Sequence, residues 1–154
     1  MYSAAQDRLA KAGYLHYEVS NFARPGFLSK HNLSTWQRHP YLGIGLSAHS
    51  FLEDRRSWNI RDLMAYIKNV ESTGTAIEGT EELKAQERFL ERVMLGLRRS
   101  EGLPETWVEN GRTAPRLNHL LSHRLLERAK GRIRLTRRGF LLADLICAEL
   151  VKDA

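Results

Sequence analysis

The chain has 154 residues, of which 24 are Lys or Arg and 18 are Asp or Glu, giving a formal net charge of +6, with one cysteine, Cys147. A composition of 42% hydrophobic and 27% charged residues is that of a globular chain of one domain or two small ones, and excludes a disordered one. No run approaches the roughly 18 uninterrupted apolar residues of a membrane span, residues 1–14 are polar and amphipathic rather than a signal peptide, and a single cysteine excludes an internal disulfide, a four-cysteine zinc site and a three-cysteine iron–sulfur site. A soluble, cytoplasmic protein is expected.

Tyr2, Ala5, Leu9 and Ala12 recur at helical spacing and Gly13 supplies a stop, so residues 2–12 are predicted as a helix. Aromatic and β-branched residues over 14–20 predict a strand, with Glu18 and Ser20 on one face as a site floor or the polar inside of a barrel. A lone helix–strand unit cannot form a sheet, because its strand has two unpaired edges. Residues 31–36 suit a short helical turn, and the glycines of 41–50 suit close backbone approach, with N–H groups offered to a ligand. Short strands at 50–52 and 57–59, joined through 53–56, form a hairpin. Asn59 is the expected cap of a helix with the apolar stripe Leu63, Ile67 and Val70 and a stop at Gly74.

Glu81 and Glu82 suit the positive end of a helix running to about residue 99 through Leu83, Phe89, Val93 and Leu97. A short helix near 104–109, a break at Gly111 and a helix opened by Pro115 follow. A strand over 131–135 leads to Thr136 as a helix cap and to Phe140, Ala143, Ile146, Cys147 and Leu150 as the buried face of the last helix.

Charge is uneven. From Arg112 to Gly139, nine basic residues stand against Glu127, a local balance of +8, and the remainder carries −2. That suits either an anionic partner or a solvated helix face with a charged turn. The order helix, turn, helix, basic hairpin, helix over 104–150 reads as a winged-helix module. In a nucleic-acid-binding reading, Arg116, His119 and His123 meet base edges and Lys130, Arg132 and Arg134 meet phosphates. The same order also serves as a packing module. His31, in a polar loop with Trp36, can ligate a metal or haem iron or simply hydrogen-bond its surroundings, and Cys147 on an apolar helix face reads as a buried structural thiol.

The string Tyr17-Glu18-Val19-Ser20-Asn21-Phe22-Ala23-Arg24-Pro25-Gly26, then Ser29-Lys30-His31-Asn32, Trp36, Tyr41-Leu42-Gly43-Ile44-Gly45 and Ala48-His49-Ser50 resembles the oxygen-independent coproporphyrinogen III oxidase-like family of radical S-adenosylmethionine (SAM) proteins, and within it the haem-chaperone branch. The resemblance implies an α+β, mainly helical chain: the last helix and strand of an incomplete (β/α) barrel in 1–50, a hairpin and helix connection in 51–79, and a helical, winged-helix-like domain in 80–154. It implies haem as a ligand in porphyrin metabolism, with the family's HNxxYW motif falling on His31, Asn32 and Trp36, His31 as the candidate iron ligand, and Thr35 in place of the motif's tyrosine. Gly43, Gly45, Ser47 and His49 match a segment beside SAM. The family's CxxxCxxC loop, which holds a four-iron cluster, has no counterpart in this sequence, so the chain alone is expected to perform no radical chemistry. The partners implied are haem, the missing N-terminal barrel portion and a haem-accepting protein; the nucleic-acid-binding module is the alternative.

Overall fold

The computed structural model describes residues 1–109 and 111–152. Its elements are, in chain order, α1 (Tyr2–Lys11), β1 (Leu15–Glu18), β2 (Asn21–Ala23), α2 (Lys30–Trp36), β3 (His49–Leu52), β4 (Arg55–Asn59), α3 (Leu63–Thr73), β5 (Ile77–Glu82), α4 (Ala85–Leu97), β6 (Leu103–Pro104), α5 (Ala114–Ser122), β7 (Leu126–Ala129), β8 (Arg132–Leu135) and α6 (Ala143–Val151), with 3₁₀ turns at Glu105–Trp107 and Gly139–Leu142. Contacts divide the chain into residues 1–37 with 89–154, and residues 38–88. These limits differ from the 50/51 and 79/80 divisions read from sequence, because α1 and β1 group with the C-terminal elements.

In the first unit, α1 ends at the left-handed Gly13 (φ +80°), as its spacing required. The lone-strand expectation is corrected: β1 turns back at once into β2, pairing Leu15 with Ala23 and His16 with Phe22, and Glu18 bridges to Arg99. The core comes from α4, β6, α5, β7, β8 and α6, where Val93, Leu97, Leu103, Ile133 and Leu150 are wholly buried, together with Val108 just after the first 3₁₀ turn. β6, β8 and β7 form an antiparallel sheet in that order. Thr136 accepts from the Gly139 N–H at 3.0 Å, so it caps the 3₁₀ turn that precedes α6. All five residues expected on the buried face of the last helix are buried.

Cys147 is buried as expected, and burial pushes its thiol up to about 11. At neutral pH it is therefore a thiol, not the thiolate that ligates metal or attacks electrophiles.

His16 sits at the centre of a polar network under α1. The Tyr2 hydroxyl donates to the Val19 carbonyl at 2.6 Å and lies 3.1 Å from His16 Nε2. With its one hydrogen committed, that hydroxyl accepts from His16 Nε2–H, leaving Nδ1 to accept from Gln6 Nε2 at 3.5 Å. The imidazole stacks on Phe22 at 4.3 Å and contacts Phe140 at 4.4 Å. Burial lowers the His16 pKa below 6.5, against the Val19 and Glu18 carbonyls and the Glu18 carboxylate, which favour the charged ring. The unfolded chain then takes up the proton first as pH falls, so stability contributed at this site declines as pH drops below about 6.5. Thermal midpoints measured between pH 8 and 5 are expected to fall more steeply for the parent than for His16→Phe; equal slopes would exclude this linkage.

In the second unit, β3, β4 and β5 form an antiparallel sheet in that order. Glu53 and Asp54, both at positive φ (51° and 62°), make the two-residue turn between β3 and β4, a tighter hairpin than the sequence suggested. Two further expectations are corrected. The cap of α3 is Asp62, which accepts from the Ala65 N–H at 2.8 Å, whereas Asn59 belongs to β4 and donates to the Gly45 carbonyl at 2.9 Å. Glu81 and Glu82 lie in β5, opposite Arg56 and Arg55: cross-strand charge pairing outweighs their suitability for a helix start, and α4 begins only at Ala85. The stripe Leu63, Ile67 and Val70 is at least 40% exposed at each position.

Candidate functional site

The residues of the HNxxYW-like segment form α2, a helix of under two turns whose start is set by Ser29, whose hydroxyl accepts from the Asn32 N–H at 3.3 Å. At about 3.6 residues per turn, His31 and Thr35 share one face while Asn32, Leu33 and Trp36 share another, with Trp36 about 140° round the axis from His31. His31 is exposed, and the Thr35 hydroxyl donates to its carbonyl oxygen at 3.1 Å.

Trp36 does different work. Its indole ring lies against the Arg98 guanidinium, 5.5 Å from the ring centroid, and its Nε1–H is buried with no acceptor among the described residues. Arg98 also donates to Asp144 at 2.7 Å. Trp36 thus seats α2 through a cation–π contact, and Arg98, unmarked by any motif, is part of that seat. Behind α2 lies a cleft of about 230 Å³ lined by Leu15, Tyr17, Leu28, Leu33, Arg99 and Ser100, smaller than the roughly 300 Å³ at which ligand pockets begin. Glu18 is wholly buried, and no donor among the described residues reaches either carboxylate oxygen.

Gly43, Gly45, Ser47 and His49 belong to the other unit, where the loop over 41–48 folds back along β3, bridging Tyr41 to Phe51. A Cβ on Gly43 would lie 2.1 Å from the His49 carbonyl oxygen, and Gly45 takes φ +103°: close approach does explain the glycines. Three of the N–H groups, however, are used internally. Those of Gly43, Ser47 and Ala48 donate to Ser50 Oγ, the Ile60 carbonyl and the Gly45 carbonyl, respectively, at 2.9, 3.1 and 3.3 Å. The loop instead presents His49 and the alternating apolar side chains of Leu42, Ile44 and Leu46 to solvent.

Five cations of the basic stretch have partners within the unit. Arg134 pairs with Glu127 at 2.7 Å, Arg137 with Asp7 at 2.6 Å, Arg116 with Glu149 at 3.7 Å, and Arg128 with Glu105 and Glu109. Arg132 donates to the carbonyls of Glu101 and Gly102. Four of these pairings reach acids outside 112–139, which a count along the sequence cannot see. Arg116, Arg132 and Arg134 are thereby engaged within the unit rather than held ready for base edges and phosphates. No helix among the described residues is long and apolar enough to cross a membrane.

No family model matches the chain. Curated relatives do: it is 34% identical to the haem chaperone HemW of Lactococcus lactis over 160 residues, 99% of this chain and 42% of that protein. To HemW of Mycobacterium tuberculosis it is 33% identical over 150 residues, 97% of this chain and 38% of that protein. The fold is shared with coproporphyrinogen III oxidase (HemN) of Escherichia coli, a radical SAM enzyme, at a TM-score of 0.73 and 20% identity, covering 99% of this chain and 40% of that one. The chain belongs to the HemN- and HemW-like family of radical SAM proteins and corresponds to its carboxy-terminal portion. It spans about two fifths of the length of the curated relatives it matches.

Proposed function

We propose that this chain is the haem-handling carboxy-terminal part of a haem-chaperone-like protein, binding haem through His31 for delivery to an acceptor protein. The observation that carries this reading is the position of His31. It stands exposed on the outer face of a helix otherwise seated by Trp36, in a segment that matches a haem-associated motif. An exposed imidazole suits ligation of haem iron, and the small cleft behind α2 suits a ligand held at the surface rather than one enclosed. Asn32 and Trp36 support that helix. The order α4, β6, the turn at Glu105–Trp107, α5, and the hairpin of β7 and β8 is that of a winged-helix module, here read as a packing module because Arg116, Arg128, Arg132, Arg134 and Arg137 bond within the unit.

SAM with a four-iron cluster supplies reductive radical chemistry in the wider family. The residues present do not fit the cluster, since three thiolates are needed and the one cysteine is a buried thiol. On this reading Gly43, Gly45, Ser47 and His49 form the wall beside SAM where this part meets the family's cluster-bearing barrel portion.

Titration of the purified chain with ferric haem, followed by visible absorption, tests the reading. A shift of the main haem band saturating at one equivalent is expected; an unshifted spectrum would overturn it.

A further inference from the structure

Two histidines that neither the fold nor the haem reading employs stand together at the C-terminal end of α5, His119 in its last turn and His123 at its C-cap. His123 follows His119 by four positions, the spacing that brings side chains together at one face of a helix. Both are exposed, and their rings lie 4.2 Å apart between centroids. Nδ1 of His123 lies 2.9 Å from the His119 carbonyl oxygen and 3.3 Å from the Ser122 hydroxyl. A carbonyl can only accept, so Nδ1 carries the hydrogen and the lone pair of the ring is on Nε2. Donation of one ring N–H to a backbone carbonyl is the arrangement that orients metal-ligating histidines and makes the other nitrogen more basic.

We propose that His119 and His123 form a binding site for one imidazole-preferring divalent ion, Cu²⁺ above Ni²⁺ or Zn²⁺, with two protein ligands and water completing the coordination. The pair lies at the C-terminal end of α5, where the helix carbonyls carry partial negative charge and favour a cation. Arg124 follows directly, and Arg116, one turn before the pair, is matched by Glu149 at 3.7 Å. Among the described residues, no group of three His, Cys, Asp or Glu side chains is placed to hold a metal. Oxygen-preferring Mg²⁺ and Ca²⁺ therefore find no ligands, whereas ions bound through imidazole nitrogen do.

Calorimetric titration of the full chain with CuCl₂, with electron paramagnetic resonance of the one-equivalent sample, tests the site. One tight equivalent with nitrogen coordination is expected, undisplaced by excess Mg²⁺. His119→Ala and His123→Ala should each weaken binding at least tenfold with an unchanged circular dichroism spectrum, while His39→Ala, an exposed histidine elsewhere, should bind as the parent does. Copper affinity unchanged in both pair variants, or lowered equally by His39→Ala, would overturn the proposal.

Discussion

Substituting His31 by alanine is expected to weaken haem binding by at least about tenfold, a loss of ~1.4 kcal/mol or more. On the proposed reading haem iron loses the His31 nitrogen, and stability changes little, because the imidazole is exposed and exposed substitutions move stability by only about 0.5 kcal/mol. The complementary substitution acts in the opposite direction. Thr35 shares the face of α2 that carries His31, so Thr35→Tyr sets an aromatic ring beside the iron ligand. An aromatic contact contributes about 0.5–1.5 kcal/mol, an expected gain of roughly two- to tenfold in affinity. Trp36→Ala behaves differently again: it removes the ring under Arg98 and loosens α2, lowering the melting temperature together with haem affinity. Haem titrations of the three variants beside their thermal melts separate these outcomes, and parental affinity in both His31→Ala and Thr35→Tyr would remove α2 as the haem site.

Leu103→Ala is expected to destabilise the first unit by about 2–5 kcal/mol. Leu103 is wholly buried, pairs with Ile133 across β6 and β8, and packs so closely on α4 that a Cβ on Gly96 would lie 2.8 Å from its own Cβ. The side chain belongs to a cluster of buried apolar side chains, so its truncation leaves a cavity among close-packed neighbours. For a unit of this size, each kcal/mol moves the melting temperature by about 4–8 °C, so a drop of roughly 10 °C or more should be seen. Leu145→Ala on α6 is the control: at 69% exposure it should change the midpoint by no more than a few degrees. Equal effects of the two would contradict the core described above.

Much of the fold was legible because the signals were local. Gly13 and Gly74 stop helices by adopting positive φ, Pro115 opens α5, and the apolar period of the last helix names its buried face correctly. What was misread depended on partners distant in sequence. The acids at 81 and 82 look like a helix start until Arg55 and Arg56 are seen across the strand, and Asn59 looks like a cap until it is seen bonding to Gly45. Of the candidate site, the segment around His31 was legible from its residue pattern. The separate work of His31 and Trp36 was not, because that depends on how α2 is turned against Arg98.

The sequence by itself determined the family, the elements that begin and end on glycine, proline or a polar cap, the buried thiol of Cys147, and the want of cysteines for a cluster. Each of these is a property of residue types or of near neighbours. Only the tertiary structure decided which cations of the +8 stretch are paired, which face of α2 is open, where Gly43, Ser47 and Ala48 spend their N–H groups, and that His119 and His123 stand ring to ring. Charge pairing, burial and hydrogen-bond satisfaction are settled between groups far apart in the chain. Five cations that look unpaired along the sequence find their acids or carbonyls only once folding brings Asp7, Glu101, Glu105, Glu127 and Glu149 beside them.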